Sequence, residues 1–128
     1  MAMITSVHVR LFTEDDDKDR EESVTTKIVY GDDRVLAQHA RGAGQLWPDH
    51  SEQAFGMNIA PTVREEDSGR MKVVVEKSCH GSDTGCGWNM SISVTGQTDD
   101  GRALNLLGRT TAVRMGDNNP VAREWAFR

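Results

Sequence analysis

Alternation of apolar and polar positions runs through most of the chain. Residues 4–13 place Val7, Val9 and Leu11 on one face and His8, Arg10 and Phe12 on the other, the period-two signature of a half-buried strand. Residues 23–30 repeat it, with Val24, Thr26, Ile28 and Tyr30 on one side, and their β-branched side chains favour an extended backbone. Residues 34–41 predict a third strand. Residues 54–60 predict another, ending before Pro61 because the residue ahead of a proline disfavours regular continuation. Residues 71–77 centre on Val73, Val74 and Val75. The cleanest alternation is at 88–95, where Trp88, Met90, Ile92 and Val94 face in while Asn89, Ser91, Ser93 and Thr95 face out. Residues 103–115 continue as strand with a break at Gly108, and 121–127 form a last strand carrying Trp125 and Phe127.

Turn chemistry separates these runs. Gly31-Asp32-Asp33, Asp99-Asp100-Gly101 and Asp117-Asn118-Asn119-Pro120 are turn sequences, the second a hairpin signal. Residues 42–53, 64–70 and 78–87 read as longer loops. No segment keeps a helical period beyond two turns. Seven to nine short strands so spaced predict an all-β fold, an antiparallel β-sandwich of jelly-roll or related topology. At 128 residues the chain is the size of one domain, spanning 1–128.

Charge sharpens the picture at one place. Residues 14–22 hold seven acidic and two basic side chains, a net −5, and the whole chain is also −5 with 20 acidic and 15 basic residues. The imbalance therefore sits in one loop between two predicted strands. An acidic chain of pI near 5.3 lacks the basic face of a nucleic-acid binder. No apolar run approaches a membrane span, and no signal peptide is visible at the N-terminus. The default expectation is a cytoplasmic protein; a fragment of a secreted protein would read the same way.

Within the acidic loop, Asp15, Asp16, Asp17 and Asp19 offer hard oxygen ligands of the kind calcium takes in sets of six to eight. An EF-hand is excluded: counted from Asp15, its sixth and twelfth positions are Arg20 and Thr26 rather than Gly and Glu. Lys18, Arg20 and the flanking glutamates favour the simpler reading of a solvated loop that blunts strand edges.

The succession of a strand at 7–13, the Asp-rich loop at 14–22, a Val-rich strand at 24–30 and a Trp-led strand at 88–94 resembles the PLAT (lipoxygenase-homology) domains and related calcium- and lipid-binding sandwiches. The chain departs from that pattern in lacking a Gly-Thr-Asp signature in the first loop and in continuing well past the Trp strand. The resemblance implies a binding module, with calcium and a membrane or protein contact as its expected properties.

Three further constellations carry chemistry. Cys79 and Cys86 flank a Gly-rich turn, and free thiols, a disulfide closing a short loop, and a metal site with His80 are all open readings. Asp83-Thr84-Gly85 matches the aspartic-protease tripeptide, but one copy supplies one of the two aspartates that chemistry needs. Trp47 with His50, in a loop beside Pro48, is the best candidate for a ligand platform, Trp88 and Trp125 reading as core. Together these features lead to a non-enzymatic β-sandwich binding module, calcium-dependent if the acidic loop ligates, for a protein, lipid or carbohydrate partner. The alternatives are a structural protein that oligomerises and, more remotely, a small hydrolase or aspartic protease.

Overall fold

The computed structural model describes residues 1–14, 20–32, 34–41, 46–47, 50–79, 87–115 and 121–127; within these, the side chains at 20–22, 46–47, 79 and 88 lie outside the described set. Among the described residues ten strands follow one another: β1 (Met3–Glu14), β2 (Arg20–Tyr30), β3 (Arg34–Arg41), β4 (Leu46–Trp47), β5 (Glu52–Arg64), β6 (Met71–Cys79), β7 (Trp88–Thr98), β8 (Ala103–Leu107), β9 (Val113–Met115) and β10 (Val121–Ala126). A 3₁₀ turn, Glu65–Arg70, joins β5 to β6.

The strands form two antiparallel sheets. The first has the order β5-β1-β7-β8, with β9 also on β7; the second has the order β10-β6-β2-β3, with β4 on β2. Their inner faces meet in one core. Val7, Val9 and Leu11 of β1 and Met90, Ile92 and Val94 of β7 are buried from one side, and Val24, Ile28, Val73 and Val75 of β2 and β6 from the other. The alternation expected for 4–13 and 88–95 is thus the packing that joins the sheets, a β-sandwich held by apolar burial.

The two open edges are closed differently. On one side β3 faces β5, where the His39 and Phe55 rings stack with centroids 3.8 Å apart and planes 11° from parallel. On the other, the Arg123 guanidinium of β10 donates to the Arg114 carbonyl of β9 at 3.1 Å.

Three departures from the sequence pattern have physical reasons. β5 does not stop before Pro61 but runs on to Arg64 through a cis Ala60-Pro61 bond. It is an edge strand paired only with β1, and the register slips between Ile4 and Ser6, so the ladder does not need the N–H that proline lacks. The run 103–115 divides into β8 and β9, separated by residues 108–112. Lys77, which the pattern leaves at a strand end, is 2% exposed, because the period that turns Val73 and Val75 inward carries on to it. A buried ammonium group requires a partner, and Lys77 is not without one.

Gly96 marks the tightest point of the first sheet. It sits on the inner row of β7, and a Cβ there would lie 2.9 Å from Leu106 Cδ1 and 3.6 Å from Ile4 Cγ2. Gly96→Ala is expected to destabilise the protein by roughly 1–3 kcal/mol, the usual range for overpacking. Denaturant titration reads this, and an unchanged midpoint would show that Leu106 yields freely.

Burial holds the His39 imidazole below its ordinary value of 6.5. The fold therefore favours the neutral ring, and the unfolded chain takes up the proton more readily. This group's contribution to stability is complete above the unfolded value and is lost as pH falls through 6.5 toward the lower folded value. Wild type should lose more stability than His39→Gln between about pH 8 and about pH 5. Parallel pH curves for the two proteins would remove His39 from the account.

Candidate functional site

The topology sorts the connections into two ends. The C-terminal residues of β1, β3 and β6 and the N-terminal residues of β2, β5, β7 and β10 lie at one end; the register pairs Glu14 with Asn89, Phe12 with Glu52, Glu22 with Cys79 and Val121 with Lys77. The segment holding Asp15, Asp16, Asp17 and Asp19 joins strand ends there, as does the segment containing Asp117. Asp32 and the Asp99-Asp100 hairpin belong to the opposite end, where Ile4 pairs with Thr98 and Tyr30 with Arg34. A twelve-residue strand at about 3.3 Å per residue puts roughly 35 Å between the ends. Those aspartates cannot complete a cation site with Asp15–Asp19.

Asp99 and Asp100 are committed elsewhere. The Met3 N–H donates to an Asp99 carboxylate oxygen at 3.1 Å. Asp100 accepts from the Thr98 hydroxyl, and from the Arg102 Nε at 3.0 Å. The Thr98 hydroxyl first, and Arg102 after it, hold the Asp100 carboxyl down to about 2. Arg102 also reaches Glu65 Oε2 at 2.6 Å, tying the β7–β8 hairpin to the 3₁₀ turn.

Of the residues singled out by sequence, Asp15, Asp16, Asp17, Asp19 and Cys86 lie outside the described residues. Cys79 is the last residue of β6 and Trp47 lies in β4 opposite Arg20, the side chains of both being outside the described set. His50 is exposed, at φ 53° in the left-handed region, and has an interaction partner. Among the described residues no three His, Cys, Asp or Glu side chains group to hold a metal ion. Among them, too, no helix is long and apolar enough to cross a membrane.

The outer faces of the two sheets differ in kind. On the second sheet, charges neutralise one another across strands: Lys27 meets Glu76 at 3.1 Å and Lys72 meets Glu124 at 3.4 Å. The first sheet has one such pair, Arg10 with Glu52 at 2.6 Å, and otherwise presents mainly uncharged polar side chains. Moving along β1, Ser6 lies opposite Asn58 and Gln97, His8 opposite Gly56 and Thr95, Arg10 opposite Ala54 and Ser93, and Phe12 opposite Glu52 and Ser91. Because strand side chains alternate, these outward residues share one face along the β1–β7 pair, termed the trough.

Two hollows shape it. One, of about 400 Å³, opens over Gly56, which places no side chain beside His8 and leaves Ser6, Asn58, Thr95 and Gln97 as its polar lining. The other, of about 240 Å³, lies between Arg10, Phe12, Glu52, Ser91, Ser93 and Arg109. A smaller hollow of about 150 Å³ shares Phe12, Ser91 and Arg109 and extends past Glu14 to Thr110 and Thr111. Arg109 comes from the interruption between β8 and β9. There Thr110 takes the place of a strand neighbour: its N–H donates to the Ile92 carbonyl at 3.0 Å and its hydroxyl accepts the Ile92 N–H at 3.2 Å. That anchor holds the interruption against β7, between the β8 and β9 pairings, in the manner of a bulge in an edge strand.

The trough was half visible beforehand. Ser91, Ser93 and Thr95 read as outward-facing, but an outward polar row carries no mark separating a ligand surface from a wet one. The available signal was its composition, Ser, Thr, Asn and Gln where the second sheet carries Lys and Glu. Comparison of the chain with family models, with curated proteins and with solved structures found no match.

Proposed function

We propose that this protein is a non-enzymatic binding module whose ligand is a carbohydrate chain lying in the trough along β1 and β7. The observation that carries the reading is the trough itself: about 400 Å³ of amide- and hydroxyl-lined space over Gly56, continued by the hollow beside Phe12. Sugar hydroxyls need both donors and acceptors, which Asn58, Thr95, Gln97, Ser91 and Ser93 supply. The Phe12 ring, half-buried, offers an apolar surface for the C–H face of a sugar ring.

The other partner classes fit this face less well. A peptide that adds to a sheet needs a free strand edge, whereas β1 is paired by β5 and β7, and β7 by β1 and by β8 and β9. A lipid chain needs an apolar groove, and the outward rows here are polar. Calcium at Asp15, Asp16, Asp17 and Asp19, in the manner of the PLAT-like sandwiches, belongs to the same reading. Its support is composition and position: Glu14, where β1 ends, lines the trough's smaller hollow.

Binding to an oligosaccharide array, followed by calorimetry on the hits, tests the proposal. Phe12→Ala and Gln97→Ala are expected to weaken binding about tenfold each, near 1.4 kcal/mol, while leaving the melting temperature in place. An array without hits, or variants that bind like wild type, would count against a glycan in the trough.

Calcium has its own test, thermal unfolding in millimolar calcium against magnesium. A calcium-specific rise in melting temperature is expected, absent from the Asp17→Asn/Asp19→Asn double variant. Identical melting curves in the two metals would make residues 14–22 a solvated surface.

A further inference from the structure

We infer that the glycan carries a negatively charged sugar, seated at the Arg109 end of the trough; the inference rests on the carbohydrate reading above. Two cations border the central hollow. Arg10 is already used: its Nε lies 2.7 Å and its Nη2 2.6 Å from Glu52 Oε1. Arg109 is exposed and lines two adjoining hollows, and among the described residues it has no ion-pair partner. The chain is acidic and its other sheet pairs its charges internally, so an arginine presented alone over hydroxyl-lined space is the feature that needs an anion.

Its placement is built rather than incidental. Thr110, the next residue, is tied to Ile92 through both its backbone and its hydroxyl, which fixes where the Arg109 side chain starts. The guanidinium presents a planar fork of donors suited to a carboxylate or sulfate oxygen pair. Glu14 sets the direction. It lines the smaller hollow beyond Arg109; the central hollow holds a carboxylate too, Glu52, but Arg10 takes up its charge, so like-charge repulsion keeps an anion on the Arg10 side. There Ser91 and Ser93 stand ready for the same sugar's hydroxyls. The opposite half of the trough is lined by uncharged groups and His8, and takes neutral sugars.

The test uses the full chain and matched probes. These are a galacturonate oligosaccharide and its methyl ester, a glucuronate-containing oligosaccharide and its methyl ester, and a sulfated oligosaccharide with its desulfated form. At least one charged probe should bind about tenfold tighter than its neutral counterpart, with the carboxylate and sulfate pairs separating the two kinds of anion. Arg109→Gln should abolish that preference, so that the charged and neutral members of each pair bind with equal affinity. Arg34→Gln, which removes an equal charge at the far end of the sandwich, should leave the preference intact. Equal binding of charged and neutral members in every pair overturns the inference and leaves the carbohydrate reading standing, as does a preference that survives Arg109→Gln. Failure of all six probes and of a neutral glycan panel to bind overturns both.

Discussion

β1 and β7 are each hydrogen-bonded on both sides, and their register holds from Ser6–Gln97 to Glu14–Asn89 without a break. A strand fixed this way has no freedom to rotate, so alternate side chains go to opposite faces for its whole length. The inner row, Val7, Val9 and Leu11 against Met90, Ile92 and Val94, is apolar and merges with the inner row of the second sheet. The outer row is consequently held rigid by contacts it does not itself make. Rigidity supplied from behind is what a binding surface needs, since less ordering entropy is then lost when a ligand arrives.

The two outer faces show what that freedom is used for. The second sheet spends its outer positions on Lys27–Glu76 and Lys72–Glu124, partly exposed pairs of the sort that contribute about 0–1 kcal/mol each and keep a surface solvated. The first sheet keeps one such pair, Arg10–Glu52, fills its other outward positions largely with hydroxyls, amides and a glycine, and admits one arginine, Arg109, without an ion-pair partner among the described residues. The far end of the sandwich follows the first pattern: Asp99, Asp100, Glu65 and Arg102 are bonded to one another or to backbone, and serve to hold the β7–β8 hairpin against the 3₁₀ turn. Polar groups that satisfy each other have a structural use. In the trough, His8, Asn58, Thr95, Gln97 and Arg109 are exposed to solvent instead.

Much of this could be read along the chain. Period two in residues 4–13, 23–30 and 88–95 announced strands and named Val7, Val9, Leu11, Val24, Ile28, Met90, Ile92 and Val94 of the core, because burial on one face imposes the same alternation on the sequence that it imposes on the backbone. Turn chemistry at Gly31 and Gly101, both at positive φ, placed a turn and a hairpin for an equally local reason. The concentration of negative charge at 14–22 was likewise a property of composition alone. These are the features the sequence by itself determined: class, strands, inward rows, and where the charge lies.

Tertiary structure decided the rest, since each remaining question concerned residues far apart in the chain. Which loops share an end depends on strand order, and it set Asp32, Asp99 and Asp100 apart from the acidic segment. Pro61 could remain inside a strand because β5 turned out to be an edge. Lys77 became buried because an inner row continued past the valines, and Gly96 became indispensable because Leu106 and Ile4 converge on it from other strands. The trough exists only once β5, β1 and β7 lie side by side, and Arg109 reaches it only because Thr110 bonds to Ile92 eighteen residues earlier. Alternation along one strand says which way a side chain points; it carries no information about which other strands supply its neighbours.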